Sequence, residues 1–344
     1  MSTITFIIPC FNESETLPEM YKRLSSLTDK FTNFQFEFLF INDGSSDSTE
    51  EILKNFAKSD KRVRCLHFAK NHGHQIALSA GIDFANGDLI VAIDADLQDP
   101  PELLKEMIDK VYEGYDVIHA QRRNRSGETW FKLFTAKLFY WFIKRFSTQE
   151  LIENCGDFRA FTRPVLEVAR RFRERHKFLR GNFVLYGFRQ CVIQYDRDSR
   201  FAGTTKYPFK KMVRFATDAV INFSTLPIRI VIFISFLLLM LSFVYLIRSL
   251  ILHFVFHVTI PGWTSLIVLI TLFASLQLFC FAIIGAYVGR IYEQVQNRPL
   301  YWIKDVQNIS LDDASAISPC IQEIIISRNI VNSKCNIVNE ESTK

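Results

Sequence analysis

An apolar run that ends in carboxylates is the feature that most constrains this chain. Residues 89–93 are five apolar residues between Gly87-Asp88 and the first acid of the pair Asp94 and Asp96. A short run rich in Ile and Val, with turn residues on both sides, predicts an inner parallel strand buried on both faces. Side chains at i and i+2 point the same way from an extended backbone, so both carboxylates lie together at the strand's carboxyl end. Ligands bind at that edge in open α/β sheets.

Oxygen ligands at this edge predict a divalent cation. The amide oxygen of Gln98 follows two residues after Asp96, and carboxylate and amide oxygens suit Mg²⁺ or Mn²⁺. A metal held by only a few protein oxygens completes its shell with phosphate and water, so the site anticipates a nucleoside diphosphate. Asp-x-Asp alone is a common sequence, and a solvated acidic turn is the alternative.

Strand and helix patterns alternate around this motif. Strands are predicted at 4–9, 36–41, 63–68 and 117–120, with helix patterns between them. This order predicts a mostly parallel, doubly wound α/β sheet, in which Asp43, after the second strand, shares a crevice with Asp94. The sequence has neither Gly-x-Gly-x-x-Gly nor a Walker A motif, which argues against dinucleotide oxidoreductases and nucleoside triphosphatases.

The second half of the chain carries membrane signals. The 33 Phe among 344 residues crowd after residue 130. Residues 130–146 place Phe131 and Phe134 on one helical stripe with most Lys elsewhere, which predicts an amphipathic helix in the membrane interface. A helix packed on the sheet is the alternative. Two long apolar runs predict transmembrane helices at about 230–252 and 265–289, against the alternative of a buried hairpin in a soluble protein.

Charge predicts the topology. Lys and Arg precede the first apolar run and follow the second, whereas residues 252–263 contain no acid, Lys or Arg. The positive-inside rule therefore puts both termini in the cytoplasm. The net charge of +5 lacks the concentrated basic signature of a nucleic-acid-binding protein. Seven scattered Cys, none in a Cys-x-x-Cys pair, indicate reduced thiols.

These signals divide the chain into four predicted parts. They are a cytoplasmic α/β domain at 1–210, a juxtamembrane segment at 211–228, two transmembrane helices within 229–290, and a cytoplasmic tail at 291–344.

Five motifs, in this order, resemble the family 2 glycosyltransferases of GT-A fold, and within them the polyprenyl-phosphate glycosyltransferases. The motifs are Ile7-Ile8-Pro9-Cys10-Phe11-Asn12-Glu13, Asn42-Asp43-Gly44-Ser45, Asp94-Ala95-Asp96-Leu97-Gln98-Asp99-Pro100-Pro101, Gly156-Asp157-Phe158-Arg159, and Arg200 through Tyr207. The resemblance covers about residues 4–303. The two predicted spans are more similar to the bacterial lipid-carrier subgroup, including bactoprenol glucosyltransferases, than to the dolichol enzymes.

The resemblance implies roles that spacing alone leaves open. From the residues alone, Asp157 lies in a turn and Arg122 and Arg123 lie in a basic loop, which for such a run is usually solvated. The resemblance implies that Pro9, Glu13, Asp43 and Asp94 line the nucleotide pocket, and that Asp94, Asp96 and Gln98 bind the metal. It makes Asp157 the candidate base and places Arg122 and Arg123 at the acceptor phosphate. Arg200 and Lys206 belong to a loop over the donor and lipid phosphates.

The implied reaction is an inverting, metal-dependent transfer of a sugar from a nucleotide sugar, such as UDP-glucose, to a polyprenyl phosphate, such as undecaprenyl phosphate. It takes place at the cytoplasmic face of a bacterial inner membrane and supplies a lipid-linked sugar for cell-surface glycan or lipopolysaccharide modification. A processive polysaccharide synthase and a non-catalytic membrane scaffold are the alternatives. The sequence lacks the Gln-x-x-Arg-Trp motif of the former, and the retained acids argue against the latter. The sequence is compatible with a homo-oligomer as well as with a monomer.

Overall fold

The computed structural model describes residues 3–123, 155–175, 177, 179–196, 226–255 and 262–309. Four predicted features lie wholly or mostly outside these residues: the interfacial helix at 130–146, the loop with Arg200 and Lys206, the juxtamembrane segment, and the tail after residue 309. The described residues fall into two compact units, one built on a sheet and one that contains two long helices.

Strands and helices alternate along the first unit, as the sequence predicts. The strands are β1 (Thr3–Cys10), β2 (Gln35–Asn42), β3 (Val63–Phe68), β4 (Leu89–Ala92), β5 (Val117–Arg122), β6 (Cys155–Thr162), β7 (Gln190–Tyr195) and β8 (Ile303–Gln307). The helices of this unit are α1 (Leu17–Thr28), α2 (Thr49–Ser59), α3 (His74–Phe84), α4 (Leu104–Tyr112), α5 (Arg163–Arg171) and α6 (Leu179–Leu185), with a 3-10 turn at Pro101–Leu103.

The eight described strands form one sheet in the order β7-β5-β6-β4-β1-β2-β3-β8. Four neighbouring pairs are parallel and three are antiparallel, so parallel pairs are in the majority, as predicted, but the described sheet is mixed. The exceptions are β6, which runs against both β4 and β5, and β8, which runs against β3. Since β6 runs opposite to β4, its first residues lie at the carboxyl end of β4.

The sheet is buried on both faces because its inner strands are apolar on both faces. Ile4, Phe6 and Ile8 of β1 pack with α1, α2 and α4 on one face. Ile7 of the same strand packs on the other face with apolar residues of α3, α5 and α6. A strand that is continuously apolar is typical of an inner parallel strand covered by helices on both sides. The predicted doubly wound arrangement is thus present around β1.

Part of the predicted cytoplasmic tail belongs to this sheet. Strand β8 pairs with β3 at the edge of the sheet. Tyr301, just before β8, is buried, stacks on Phe68 at 5.2 Å, and donates a hydrogen bond of 2.9 Å to Asp83 of α3. Arg173 pairs with the same Asp83 carboxylate at 2.9 Å, which compensates a charge that would be costly to bury alone.

The second unit contains helices α7 (Leu226–Phe254) and α8 (Trp263–Val295), of 29 and 33 residues. Both predicted apolar runs are therefore helical. Many of their apolar side chains are exposed, Phe233 at 67% and Leu278 at 68% among them. Among the described residues, one segment, Leu272–Val295, has the length and apolar composition needed to cross a membrane. A second membrane crossing, within α7, stays a prediction.

Candidate active site

The loops that follow β1 and β2 are joined by hydrogen bonds at the carboxyl edge of the sheet. The backbone N–H of Asp43 donates to the carbonyl of Cys10 at 2.9 Å. The backbone N–H of Asn12 donates to Ser45 Oγ at 3.0 Å, and that of Glu13 donates to Thr49 Oγ1 at 3.0 Å. Asn12 has a φ of 54°, in the left-handed region that Asn tolerates. Pro9, Glu13 and Asp43, the predicted nucleotide residues, therefore lie on neighbouring segments.

Asp43 is buried and holds the segment that precedes α3. Its Oδ1 accepts a hydrogen bond from the backbone N–H of His72 at 2.7 Å. Its Oδ2 accepts hydrogen bonds from the backbone N–H of Gly73 at 2.8 Å and from Asn71 Nδ2 at 3.0 Å. Burial raises the pKa of Asp43, and the two backbone donors oppose that rise. Asp43 thus fixes the start of α3 as well as lying in the predicted nucleotide pocket.

A series of hydrogen-bonded side chains connects the loop after β2 to β8. Asn42 Oδ1 accepts a hydrogen bond from the backbone N–H of Ser45 at 3.0 Å, and Asn42 Nδ2 lies 3.0 Å from His67 Nδ1. The other ring nitrogen of His67 lies 2.6 Å from Gln307 Oε1. These partners assign a neutral ring that accepts at Nδ1 and donates at Nε2. Burial lowers the pKa of His67, which favours this neutral form.

The predicted metal ligands follow β4 directly. Asp94 and Asp96 are partly exposed, and Gln98 is buried and donates its backbone N–H to Asp96 Oδ1 at 3.2 Å. Leu97 between them has a φ of 59°, an unusual backbone conformation for a non-glycine residue. Such strain often marks a functional loop, because the surrounding structure must maintain it.

The charge around Asp94 fits a cation. Its pKa is raised to about 6, first by burial and then by the nearby carboxylates of Asp99, Asp157 and Asp96, while His74 opposes the rise. Asp94 Oδ1 is shielded from solvent and accepts no hydrogen bond within the described structure. A divalent cation there would relieve the repulsion among the carboxylates.

No three His, Cys, Asp or Glu side chains form a ready metal cage in the part of the chain that the structure describes. Mg²⁺ commonly uses one or two carboxylates together with phosphate and water, so the residues suit that type of site better than an all-protein cage.

Asp157 reaches this site because β6 is antiparallel to β4. Ala92 is paired with Arg159, which brings Asp157, two residues earlier, beside the carboxylates that follow β4. Asp157 Oδ2 lies 3.1 Å from His74 Nε2 and accepts a hydrogen bond from Gln75 Nε2 at 3.2 Å. The side chain of Asp157 is only 3% exposed.

His74 and Gln75 contact Asp157, and the sequence predicted neither of them as a site residue. His74 Nε2 lies 3.1 Å from Asp157 Oδ2 and 3.5 Å from Asp94 Oδ1. The available signal was the place of His74 after the third strand, at the edge that carries the acids. The sequence predicts a helix after the third strand, but it does not predict that α3 begins at His74.

The two predicted phosphate-binding arginines differ in their surroundings. Arg122 Nε donates to the hydroxyl of Tyr195 at 3.3 Å, and Arg122 Nη2 lies 3.8 Å from Asp99 Oδ1. That hydroxyl donates to Asp99 Oδ1 at 2.5 Å. Arg123 is more exposed, at 57% against 24%, and pairs with Asp196 at 3.2 Å. Arg122 therefore lies beside Asp99, one of the carboxylates near Asp94, whereas Arg123 has an exposed ion pair.

Comparisons with known proteins agree with the sequence motifs. The sequence model of Glycosyl transferase family 2 matches residues 5–169. A Bacillus subtilis protein described as uncharacterized glycosyltransferase YkcC is 42% identical over 300 residues, which are 87% of this chain and 93% of that protein. The bactoprenol glucosyl transferase of Shigella phage SfII is 38% identical over 301 residues, 88% of this chain and 97% of its own.

Among solved structures, mannosyl-3-phosphoglycerate synthase from Rubrobacter xylanophilus is similar at 15% identity with a TM-score of 0.43, over 64% of this chain and 72% of that one. The relatives at 38% to 42% identity extend over nearly their whole length. The chain therefore belongs to the family 2 glycosyltransferases and is a glycosyltransferase, which confirms the resemblance carried by its motifs.

Proposed function

We propose that this enzyme transfers a sugar from a nucleotide sugar to a polyprenyl phosphate, with inversion at the anomeric carbon. The observation that carries the proposal is the meeting of Asp94 and Asp157 at one edge of the sheet, with His74 within 3.5 Å of both carboxylates. Identity of 36% to 38% over most of the chain to proteins named bactoprenol glucosyl transferase supports the lipid acceptor. The donor is a UDP-sugar such as UDP-glucose, and the lipid is undecaprenyl phosphate.

In this proposal Asp94, Asp96 and Gln98 hold Mg²⁺ or Mn²⁺, which when bound offsets the negative charge of the donor diphosphate. An oxygen of the acceptor phosphate attacks the anomeric carbon. The bond from that carbon to the nucleoside diphosphate breaks on the opposite face, and the leaving group takes the electron pair. Arg122 attracts the acceptor phosphate. Arg123, Arg200 and Lys206 are further cations for phosphate, the last two outside the described residues.

Asp157 orients the acceptor more than it removes a proton. The second pKa of a phosphate monoester is about 6, so the acceptor is already mostly deprotonated at neutral pH. The carboxylate itself is buried, with His74 and Gln75 at Oδ2 and Arg159 Nη2 3.8 Å from Oδ1. A group with these neighbours is better suited to hold a fixed geometry than to exchange protons with a ligand.

The proposed location is the cytoplasmic face of a bacterial inner membrane. The apolar segment Leu272–Val295 supports a membrane anchor, and a polyprenyl acceptor requires access to lipid. The charge pattern supports a second span in α7 and cytoplasmic termini. The product is a lipid-linked sugar for modification of cell-surface glycans.

The test is transfer of labelled sugar from a panel of UDP-sugars to undecaprenyl phosphate by the full chain in detergent. We expect one donor to give organic-extractable label that a chelator abolishes. We also expect Asp157→Asn to slow transfer with little change in donor affinity, whereas Asp109→Asn, an exposed carboxylate on α4, retains normal transfer.

Three other outcomes would contradict the proposal. Label that stays in a water-soluble polymer would indicate a processive synthase. No binding of uridine diphosphate with metal would indicate a scaffold. Unchanged turnover in Asp157→Asn would remove Asp157 from the mechanism.

A further inference from the structure

The first turn of α3 faces the carboxylates of the candidate site. The imidazole of His74 has its Nε2 3.1 Å from Asp157 Oδ2 and 3.5 Å from Asp94 Oδ1. The side chains of His74 and Asp94 are 32% and 25% exposed, whereas that of Asp157 is 3% exposed. His74 thus contacts one partly exposed carboxylate and one buried carboxylate.

We infer that His74 is a positioning residue of the transfer reaction and that it acts through Asp157, so that the two side chains work as one unit. This inference rests on the proposed function. His74 holds one oxygen of Asp157 and keeps the carboxylate directed along the edge beside Asp94. It also lies between two groups of like charge, whose direct approach would be unfavourable.

The contacts of Asp157 show why a single orientation is maintained. Gln75 donates to the same oxygen as His74, at 3.2 Å, and the Gln75 Oε1 atom accepts the backbone N–H of Leu179 at 3.1 Å. The other oxygen of Asp157 lies 3.8 Å from Arg159 Nη2. Oδ2 therefore faces His74 and Gln75, whereas Oδ1 faces Arg159. Loss of the His74 contact changes the relative strength of the interactions at the two oxygens.

The backbone of His74 is held separately from its ring. Asp43 accepts hydrogen bonds from the backbone N–H groups of His72 and Gly73, immediately before His74. Gly73 has a φ of 97°, a conformation that favours glycine. Because these contacts use backbone groups, replacing the His74 side chain leaves the Asp43 contacts in place. Donor binding and turnover should therefore respond differently to this substitution.

The effect of losing the ring follows from the geometry. A misplacement of about 1 Å in an active site costs roughly 100-fold in rate. We expect His74→Ala to lower kcat by about 10-fold to 100-fold while donor affinity changes by less than about twofold. His74→Gln can place an amide N–H near the position of the imidazole Nε2, whereas the Asn side chain is one methylene shorter. Gln should consequently recover more of the turnover than Asn does.

The experiment is a double-mutant cycle in the full chain in detergent, with His74→Ala, Asp157→Asn and the double variant assayed for kcat, donor KM and donor affinity. Residues that act as a unit give strongly non-additive losses. We expect the double variant to be about as slow as the slower single variant, and His74→Gln to exceed His74→Asn. Donor affinity near wild type in each variant would show that the site is intact.

Three results would overturn the inference. They are kcat of His74→Ala within twofold of wild type, losses that multiply in the double variant, and equal activity of the Gln and Asn variants. A wild-type enzyme that transfers no sugar to polyprenyl phosphate would refute the proposed function. Normal wild-type transfer together with any of those three results would refute only the role of His74.

Discussion

Replacing Gly44 by Ala tests the link between the loop after β2 and the segment before α3. Gly44 has a φ of +65°, and a Cβ built on it would lie 2.4 Å from the carbonyl carbon of Lys70 and 2.6 Å from the backbone nitrogen of Asn71. Both atoms belong to the backbone, so the 70–71 segment must move to admit the methyl group. Asn71 and the two residues after it hold Asp43, and their hydrogen bonds should weaken together.

A matched control distinguishes the backbone strain of an alanine at positive φ from the steric clash of its Cβ. Gly187 has a φ of +72°, and a Cβ built there would have nothing within 4 Å. The left-handed conformation costs an L-residue about 1–2 kcal/mol at either position, and crowding of a packed site adds typically about 1–3 kcal/mol. We therefore expect Gly187→Ala to lower the free energy of unfolding by about 1–2 kcal/mol and Gly44→Ala by about 2–5 kcal/mol.

The assay compares urea unfolding of the two variants in the full chain in detergent, followed by tryptophan fluorescence, with donor affinity measured by titration calorimetry. A hydrogen bond to a charged group contributes about 1.5–3 kcal/mol, so disturbing the Asp43 contacts should weaken donor binding by about tenfold or more. Gly187→Ala should leave donor affinity unchanged. Equal unfolding free energies for the two variants, with normal donor affinity in both, would refute the reasoning.

Three further predictions follow. Asp94→Asn should abolish the chelator-sensitive part of donor binding measured by calorimetry; unchanged affinity would exclude this carboxylate as a metal ligand. Tyr301→Phe removes a 2.9 Å hydrogen bond to buried Asp83 and should lower the free energy of urea unfolding by about 1–3 kcal/mol, whereas Tyr112→Phe, at a side chain 69% exposed, should have no effect. Burial, aided by a nearby arginine, lowers the pKa of His119 to about 3. As pH falls, His119 therefore binds a proton in the unfolded chain before it does so in the folded chain, and stability should fall by up to about 1.4 kcal/mol per pH unit between about pH 6.5 and about pH 3; a His119→Gln variant with the same pH slope as wild type would contradict this.

Local patterns predicted the strands that precede Asp43 and Asp94 and the helices between them. The apolar run before Asp94 predicts a buried strand, and the alternation of strands and helices predicts a sheet covered on both faces. The same reasoning brings Asp43 to the edge that carries Asp94, because parallel strands end at a common edge. Each of these predictions depends on residues within a few positions of one another, where side-chain periodicity reports the backbone directly.

Strand direction beyond the parallel core was not available from such patterns. The residues of β6 include Gly156, Asp157 and Arg159 and form no continuous apolar run, so the sequence predicted neither this strand nor its direction. That direction brings Asp157 to the carboxyl end of β4, and together with antiparallel β8 it makes the sheet mixed. From the residues alone Asp157 remained one acid in a turn.

The amino-acid sequence by itself determined the first five strands and the helices between them, the acidic edge and the family. Only the tertiary structure decided which distant side chains meet there. His74 and Asp157 are 83 positions apart, and His67 and Gln307 are 240 apart. Contacts of this kind depend on sheet order, strand direction and the packing of helix ends on the sheet, which are properties of the whole folded chain and have no local periodicity to reveal them.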